Sequence, residues 1–209
     1  MYKPFIQPPA IVRQFYPKRL WRMDPLEQSV YLTFDDGPHP EITPFVLEQL
    51  SKAGAKASFF CIGSRVAAFP STYQQLLEQG HRVGNHTHQH LNAWRTNPQD
   101  YLKDIATAST LIDSNLFRPP YGKLPWHIAK QIPGIIKAPA KIVMWDILSG
   151  DFDQGLTSTA CFEYCRNYIR PGSIIVLHDS EKAWDRLAEL LPSLIAFTES
   201  AGYSLKALP

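Results

Sequence analysis

Apolar residues along this chain fall into two kinds of run. Short runs rich in β-branched and aromatic residues predict strands over 29–34, 57–62, 82–85, 116–118, 141–145, 173–177 and 203–208. Longer, mixed runs between them predict helices over 44–53, 71–79, 98–114, 126–131, 157–169 and 183–200. The 18 prolines are scattered and punctuate these elements, and no internal repeat interrupts the alternation. Strands separated by helices in this way predict parallel β/α units around a central sheet or barrel.

The polar residues are placed less evenly. Val30-Tyr31-Leu32-Thr33-Phe34 runs straight into Asp35-Asp36-Gly37-Pro38, and Arg82-Val83-Gly84 into Asn85-His86-Thr87-His88-Gln89-His90. Leu116-Phe117 leads to Arg118-Pro119-Pro120-Tyr121-Gly122, Ile142-Val143-Met144-Trp145 leads toward Asp151, and Ile174-Ile175-Val176-Leu177 ends at His178-Asp179. In β/α barrels the C-terminal ends of the strands share one face, and chemistry is done there. Polar clusters past five strand ends therefore predict an active site on that rim.

Composition narrows the picture. At 209 residues the chain has the size of one domain, and 44% hydrophobic against 19% charged residues supplies a substantial core. A net charge of +2 does not point to nucleic acid as a partner. No apolar run approaches the ~20 residues of a membrane-spanning helix. The first residues also lack the apolar stretch of a signal peptide, so the expected location is the cytoplasm or the periphery of the cell envelope. Residues 1–28 are expected to form a separate arm before a domain spanning 29–209. The arm carries Lys3, Arg13, Lys18, Arg19 and Arg22 with no acid before Asp24, among Tyr2, Phe5, Phe15, Tyr16 and Trp21. That mix suits weak contact with an anionic membrane or a glycan, or a cover over one end of the domain. Cys61, Cys161 and Cys165 are too few for a disulfide scaffold, and two thiols at 161 and 165 without further ligands make a poor zinc site. They are read as core residues.

Two adjacent aspartates repel, so Asp35 and Asp36 call for a metal or a shared proton nearby, unless they are a solvated turn made by Gly37 and Pro38. His86 and His90 stand four apart, which would place both imidazoles on one face of a helical turn. Two histidines and a carboxylate match a catalytic zinc site with positions left open.

These motifs resemble the NodB-type polysaccharide deacetylases, carbohydrate esterase family 4, from about Ser29 to the C-terminus. Thr33-Phe34-Asp35-Asp36-Gly37-Pro38 is similar to the family's first motif, which implies Asp35 as general base and Asp36 as a metal ligand. His86-Thr87-His88-Gln89-His90 fits the second, H-[S/T]-x-x-H, with His86 and His90 as the other ligands. Arg118-Pro119-Pro120-Tyr121 resembles the third, in which Arg118 would orient the base and the Tyr121 N–H would donate to the oxyanion. Val176-Leu177-His178 resembles the last, with His178 as general acid.

The fourth motif, usually D-x-x-D-W, departs from the family. Here it reads Leu148-Ser149-Gly150-Asp151-Phe152, which keeps in Asp151 the carboxylate that would pair with His178. Leu148 replaces the first aspartate and Phe152 the tryptophan, while Val176 stands where the family has leucine. Phe152, with Val176, is expected near the acetyl methyl, and an ordinary core phenylalanine is the alternative. These departures bear on the substrate more than on the reaction.

Pattern and resemblance together lead to an α/β fold, a distorted (β/α)7-type barrel of mostly parallel strands with the active site at their C-terminal ends. The expected activity is metal-dependent removal of acetyl groups from an N-acetylated or O-acetylated carbohydrate, with one divalent ion, zinc, as cofactor. A hydrolase of another small amide on the same scaffold and a non-catalytic glycan-binding relative are the competing readings.

Overall fold

The computed structural model describes residues 7–209. A short helix, α1 (Ala10–Phe15), precedes the first strand, β1 (Ser29–Asp35). There follow α2 (Ile42–Lys52), β2 (Ser58–Cys61), α3 (Gly63–Ala68), α4 (Pro70–Glu78), β3 (Arg82–Asn85) and α5 (Pro98–Ser109). The second half runs β4 (Leu116–Phe117), α6 (Trp126–Ala129), β5 (Lys141–Ile142), β6 (Ile147–Leu148), α7 (Ser158–Tyr168), β7 (Ile174–His178), α8 (Trp184–Ser200) and β8 (Ser204–Leu205).

The strands form one parallel sheet in the order β5-β4-β3-β2-β1-β7-β6, and β8 pairs with the beginning of β1. All seven residues of β1 are buried, as expected for a central parallel strand covered on both faces. Helix α8 buries Leu187, Leu190, Leu191, Leu194 and Ile195, a stripe at helical spacing that packs into the main core with Val46, Leu47, Leu50, Cys161 and Cys165. Side chains cap two helices at their starts: Asn97 accepts from the Gln99 N–H and Thr157 from the Ala160 N–H.

β5 and β6 are the two edges of this sheet, yet only residues 143–146 separate them in sequence. An extended chain bridges at most roughly 18 Å over that many links, so the edges must curl toward one another. The seam is filled by the arm. Leu20 pairs with Val143 beyond β5, and Arg22 pairs with Ser173 ahead of β7. The result is the parallel, distorted barrel that the hydrophobic pattern predicts.

Details differ from the expected elements. The hydrophobic pattern does not predict β6, because two residues directly after Trp145-Asp146 give no alternation to read. The Asp151 loop therefore leaves β6 and not the strand that holds Ile142. α3 and α1 were also missed, and α1 buries no residue, so it shows no apolar stripe. The predicted helix over 98–114 ends at Ser109, and the last strand shrinks to two residues. The three cysteines are free and buried in the core, where burial pushes their thiols up. No helix among the described residues is long and apolar enough to cross a membrane.

The arm's described basic residues are largely used inside the fold. Arg19 donates to the Leu124 carbonyl at 2.7 Å and Arg22 to that of Pro171 at 3.1 Å, while Trp21 is buried. Arg13 pairs at 2.9 Å with the fully buried Asp146, which also holds Arg170 and the Ser173 hydroxyl. Lys3, Tyr2 and Phe5 lie outside the described residues. Asp146→Ala strips two arginines of their counter-ion. Removing a partner from a buried pair costs about 3–5 kcal/mol, but both arginines reach solvent, so about 2 kcal/mol is expected in a denaturant melt. A loss below about 0.5 kcal/mol would show that the arm's anchoring does not matter to the fold.

Candidate active site

Asp35 is the last residue of β1 and is paired in register with His178, the last residue of β7. Thr33 and Val176 pair two residues earlier, and Val176 pairs with Leu148 on β6. Residues two apart on a strand share a face, so Asp35 and His178 stand side by side above a floor of Thr33, Val176 and Leu148.

Arg118, just past β4, is fully buried and reaches Thr33 and Asp35. Its Nη1 donates to Asp35 Oδ1 and to Thr33 Oγ1, both at 2.7 Å, and Nη2 donates to the Met144 carbonyl at 3.0 Å. The guanidinium lies 4.0 Å from the centre of the Phe60 ring. A planar fork with a stacking face meets all of these partners, which an ammonium would not. The Asp35 carboxylate is thereby held by one oxygen, with Oδ2 left toward the cleft.

His86 and His90 do not lie on a helical turn, contrary to the expectation from their spacing. They sit on an irregular loop in which the Cys61 carbonyl accepts the His86 N–H and side chains accept the next three. Asn85 Oδ1 accepts from Thr87, and Asp104 Oδ2 accepts from His88 and Gln89. The first N–H groups of α3, Gly63 and Ser64, donate to the carbonyls of Thr87 and His88. Thr87 (φ 64°) and His90 (φ 55°) are left-handed, as are Asp36 (φ 79°) and Tyr121 (φ 60°). Among the described residues these are the four non-glycine residues with positive φ, and all four belong to the loops of this cleft. Such strain persists where surrounding contacts over-determine the backbone, as at functional sites.

The His86 Nδ1 meets the Arg118 carbonyl at 2.7 Å, which fixes that nitrogen as the donor and leaves Nε2 as a lone-pair donor toward the cleft. Burial lowers the His86 pKa to about 4, so its ring is neutral at pH 7. Asp36 Oδ1 stands 3.7 Å from His86 Nε2 and 3.2 Å from His90 Nε2. Burial would raise the Asp36 carboxyl, but the imidazoles of His90, His178 and His86 outweigh it and hold the group below the usual carboxylate range. Despite its neighbours, Asp36 Oδ1 has no aligned hydrogen-bond donor.

One ligand atom from each of Asp36, His86 and His90 falls within 4.8 Å of the others. A buried, orphaned carboxylate oxygen facing two imidazole nitrogens is the donor set a divalent cation requires, so these residues fit a metal.

Across the cleft, Asp151 is fully buried and binds His178 twice, Oδ1 to the ring Nδ1 at 2.7 Å and Oδ2 to the backbone N–H at 2.8 Å. Arg186 secures the Asp151 carbonyl. Burial would lower the His178 pKa, but the Asp151 carboxylate outweighs it and the imidazole is pushed up to about 9. Asp179, the neighbour in sequence, turns away. It is buried against Gly37, accepts from the Thr43 hydroxyl, and burial raises it to about 8. Phe152 meets the His178 ring edge-on at 5.2 Å. Tyr121 places its ring 4.8 Å from His90, and its exposed side chain forms part of the wall.

Asp35, Asp36, His86, His90, Tyr121, Phe152, Val176 and His178 thus line one cleft of about 460 Å³. Arg118 and Asp151 support it from behind. Sequence reasoning missed Trp145 and Lys182, which complete the wall. The Trp145 indole packs where a side chain on Gly122 (φ +66°) would stand, so that glycine admits it. Larger hollows of about 690 and 620 Å³ elsewhere on the surface contain none of these groups. Chemistry, not size, marks the site.

Comparison with known proteins gives the same direction. Residues 22–132 match the polysaccharide deacetylase family. The chitooligosaccharide deacetylase of Azorhizobium caulinodans is 33% identical over 88% of this chain and 94% of its own length. A peptidoglycan-N-acetylglucosamine deacetylase of Bacillus cereus is 29% identical over 79% of this chain, which spans 63% of that longer protein. The crystal structure of a peptidoglycan N-acetylglucosamine deacetylase, in complex with a substituted benzamide, superposes with a TM-score of 0.87 at 25% identity. The match covers 97% of this chain and 95% of that one.

Proposed function

This chain belongs to the polysaccharide deacetylase family, and from that premise we propose that it hydrolyses the acetamide of an N-acetylated amino sugar within a glycan. Asp36, His86 and His90 would hold one divalent cation. Two imidazoles and a carboxylate favour zinc. When bound, the cation supplies Lewis-acid polarisation of the amide carbonyl and makes water acidic enough to attack at neutral pH.

The protein's own groups account for the rest. Asp35, aimed by Arg118, takes the proton of the attacking water through its free oxygen. The Tyr121 N–H, on a left-handed residue just after Pro120 and with no backbone acceptor among the described residues, donates to the oxygen that gains negative charge. His178, protonated by virtue of Asp151, gives its proton to the departing nitrogen as the C–N bond breaks. Acetate and a free amine leave. Phe152, Val176 and Leu148 offer an apolar wall beside His178 for the acetyl methyl.

The observation that carries this reading is that a carboxylate held by Arg118 and an imidazole held by Asp151, side by side at paired strand ends, share one cleft with a three-ligand cluster. Acetate release from oligomers of chitin, peptidoglycan and acetylated xylan, with and without a chelator, tests it. Chelator-sensitive release from the N-acetylglucosamine substrates is expected. Release from xylan alone would make the protein an esterase, and release from none would remove the reading.

The His178 pair sets a pH dependence. A group with raised pKa keeps its proton, and its catalytic form, until the pH passes that pKa. Activity therefore falls on the alkaline side as the pH approaches about 9. Charge repulsion from a dication on the nearby ligands brings that limb below this value. In Asp151→Asn burial is opposed only by the weaker pull of Asp36 and Asp35, so the limb moves to lower pH, whereas Asp179→Asn leaves it in place. A pH–rate profile of both variants with the opposite outcome would reassign the partner.

A further inference from the structure

Trp94 is 67% exposed, yet it is not loosely held. Asn92 Oδ1 accepts its N–H at 3.0 Å, the Asn92 carbonyl accepts those of Arg95 and Thr96, and Ala93 beside it is buried. A rigid turn thus presents an indole to solvent. The turn begins two residues after His90, and the neighbouring strip begins at Tyr121. The two strips run together: the His90 and Tyr121 rings are 4.8 Å apart, and Lys123 Nζ lies 5.2 Å from the centre of the Trp94 indole. Lys123 has no carboxylate partner among the described residues. Neither Trp94 nor Lys123 lines the catalytic cleft, whose volume of about 460 Å³ takes a sugar ring or two and not a polymer.

We infer that Trp94 and Lys123 form a separate sugar subsite that holds a glycan residue beyond the one being deacetylated. This rests on the proposed deacetylase reading. The apolar C–H face of a pyranose packs on a flat, exposed aromatic ring, and a rigid indole offers that area at little cost in conformational freedom. The Lys123 ammonium over the ring is placed to donate to the hydroxyls or carbonyl of a sugar held at the same indole. The path from His90 past Tyr121 to Trp94 leads out of the cleft, so the subsite is reached only by a substrate longer than the cleft.

The test compares N-acetylglucosamine oligomers of two and six sugars with the wild type, Trp94→Ala and Trp94→Tyr. In Trp94→Ala the ratio of kcat/KM for the hexamer to that for the dimer is expected to fall about tenfold, through KM. Trp94→Tyr, which keeps a flat ring, restores most of the ratio. An unchanged ratio in Trp94→Ala overturns the inference, including the case in which both substrates slow equally. Calorimetric binding of the hexamer is read in parallel and does not depend on turnover. Weaker binding by Trp94→Ala supports the subsite even if no acetate is released, an outcome that would instead remove the deacetylase reading. Equal binding by both proteins removes the subsite.

Discussion

Asp35→Asn is expected to lower the turnover of acetate release by about 10²–10⁴-fold, the usual loss when a general base is removed, while one metal ion per chain remains bound. The amide cannot take a proton from water, but it preserves the shape of the carboxylate. Metal is retained because Asp35 contributes none of the three clustered ligand atoms. A second consequence separates this position from an ordinary surface aspartate. Arg118 is fully buried, and Asp35 is its counter-charge at 2.7 Å. Loss of that charge leaves a buried cation held by Thr33, the Met144 carbonyl and the Phe60 face, so stability should also fall, by about 3 kcal/mol. Turnover, metal content and a denaturant melt on one preparation check all three. Near-native turnover would place the base elsewhere.

His90→Ala is expected to weaken metal binding by more than about a hundredfold, because even partners outside the ligand set commonly cost 10–100-fold. Activity at limiting metal should be lost with it. His90 suits this experiment better than His86. The His86 ring is buried and supports the Arg118 carbonyl, so its removal would open a cavity and loosen the arginine. The His90 ring is partly exposed and lies beside Tyr121, His86 and the Asp36 carboxylate. The melting midpoint without metal should therefore barely move. Unchanged metal stoichiometry in His90→Ala, measured after dialysis, would mean that the cation sits on other groups.

Much of this arrangement is legible in the sequence, and the illegible parts share a cause. Residues at the ends of long buried strands, Asp35 and His178, are placed by strand register, and a run such as Val30 to Phe34 reveals that register directly. His86 and His90 show as a pair, but their spacing suggests a helical turn that does not form. Asn85 and Asp104 divert the loop by accepting its N–H groups, and Asp104 is distant in sequence, so no local pattern announces it. Asp151 is visible as a carboxylate, yet the strand that delivers it, Ile147–Leu148, is two residues long and set by pairing with β7. Trp145 and Lys182 reach the cleft only because the two sheet edges curl together and because α8 begins beside the His178 loop. Both are consequences of tertiary closure.

The central claim is that acetate release depends on a cation at Asp36, His86 and His90. The most direct measurement strips the protein with a chelator, removes the chelator, and titrates zinc while following acetate release from N-acetylglucosamine hexamer. No release from the stripped protein is expected, then a linear rise that levels off at one zinc per chain. Release by the stripped protein at the loaded rate would contradict it.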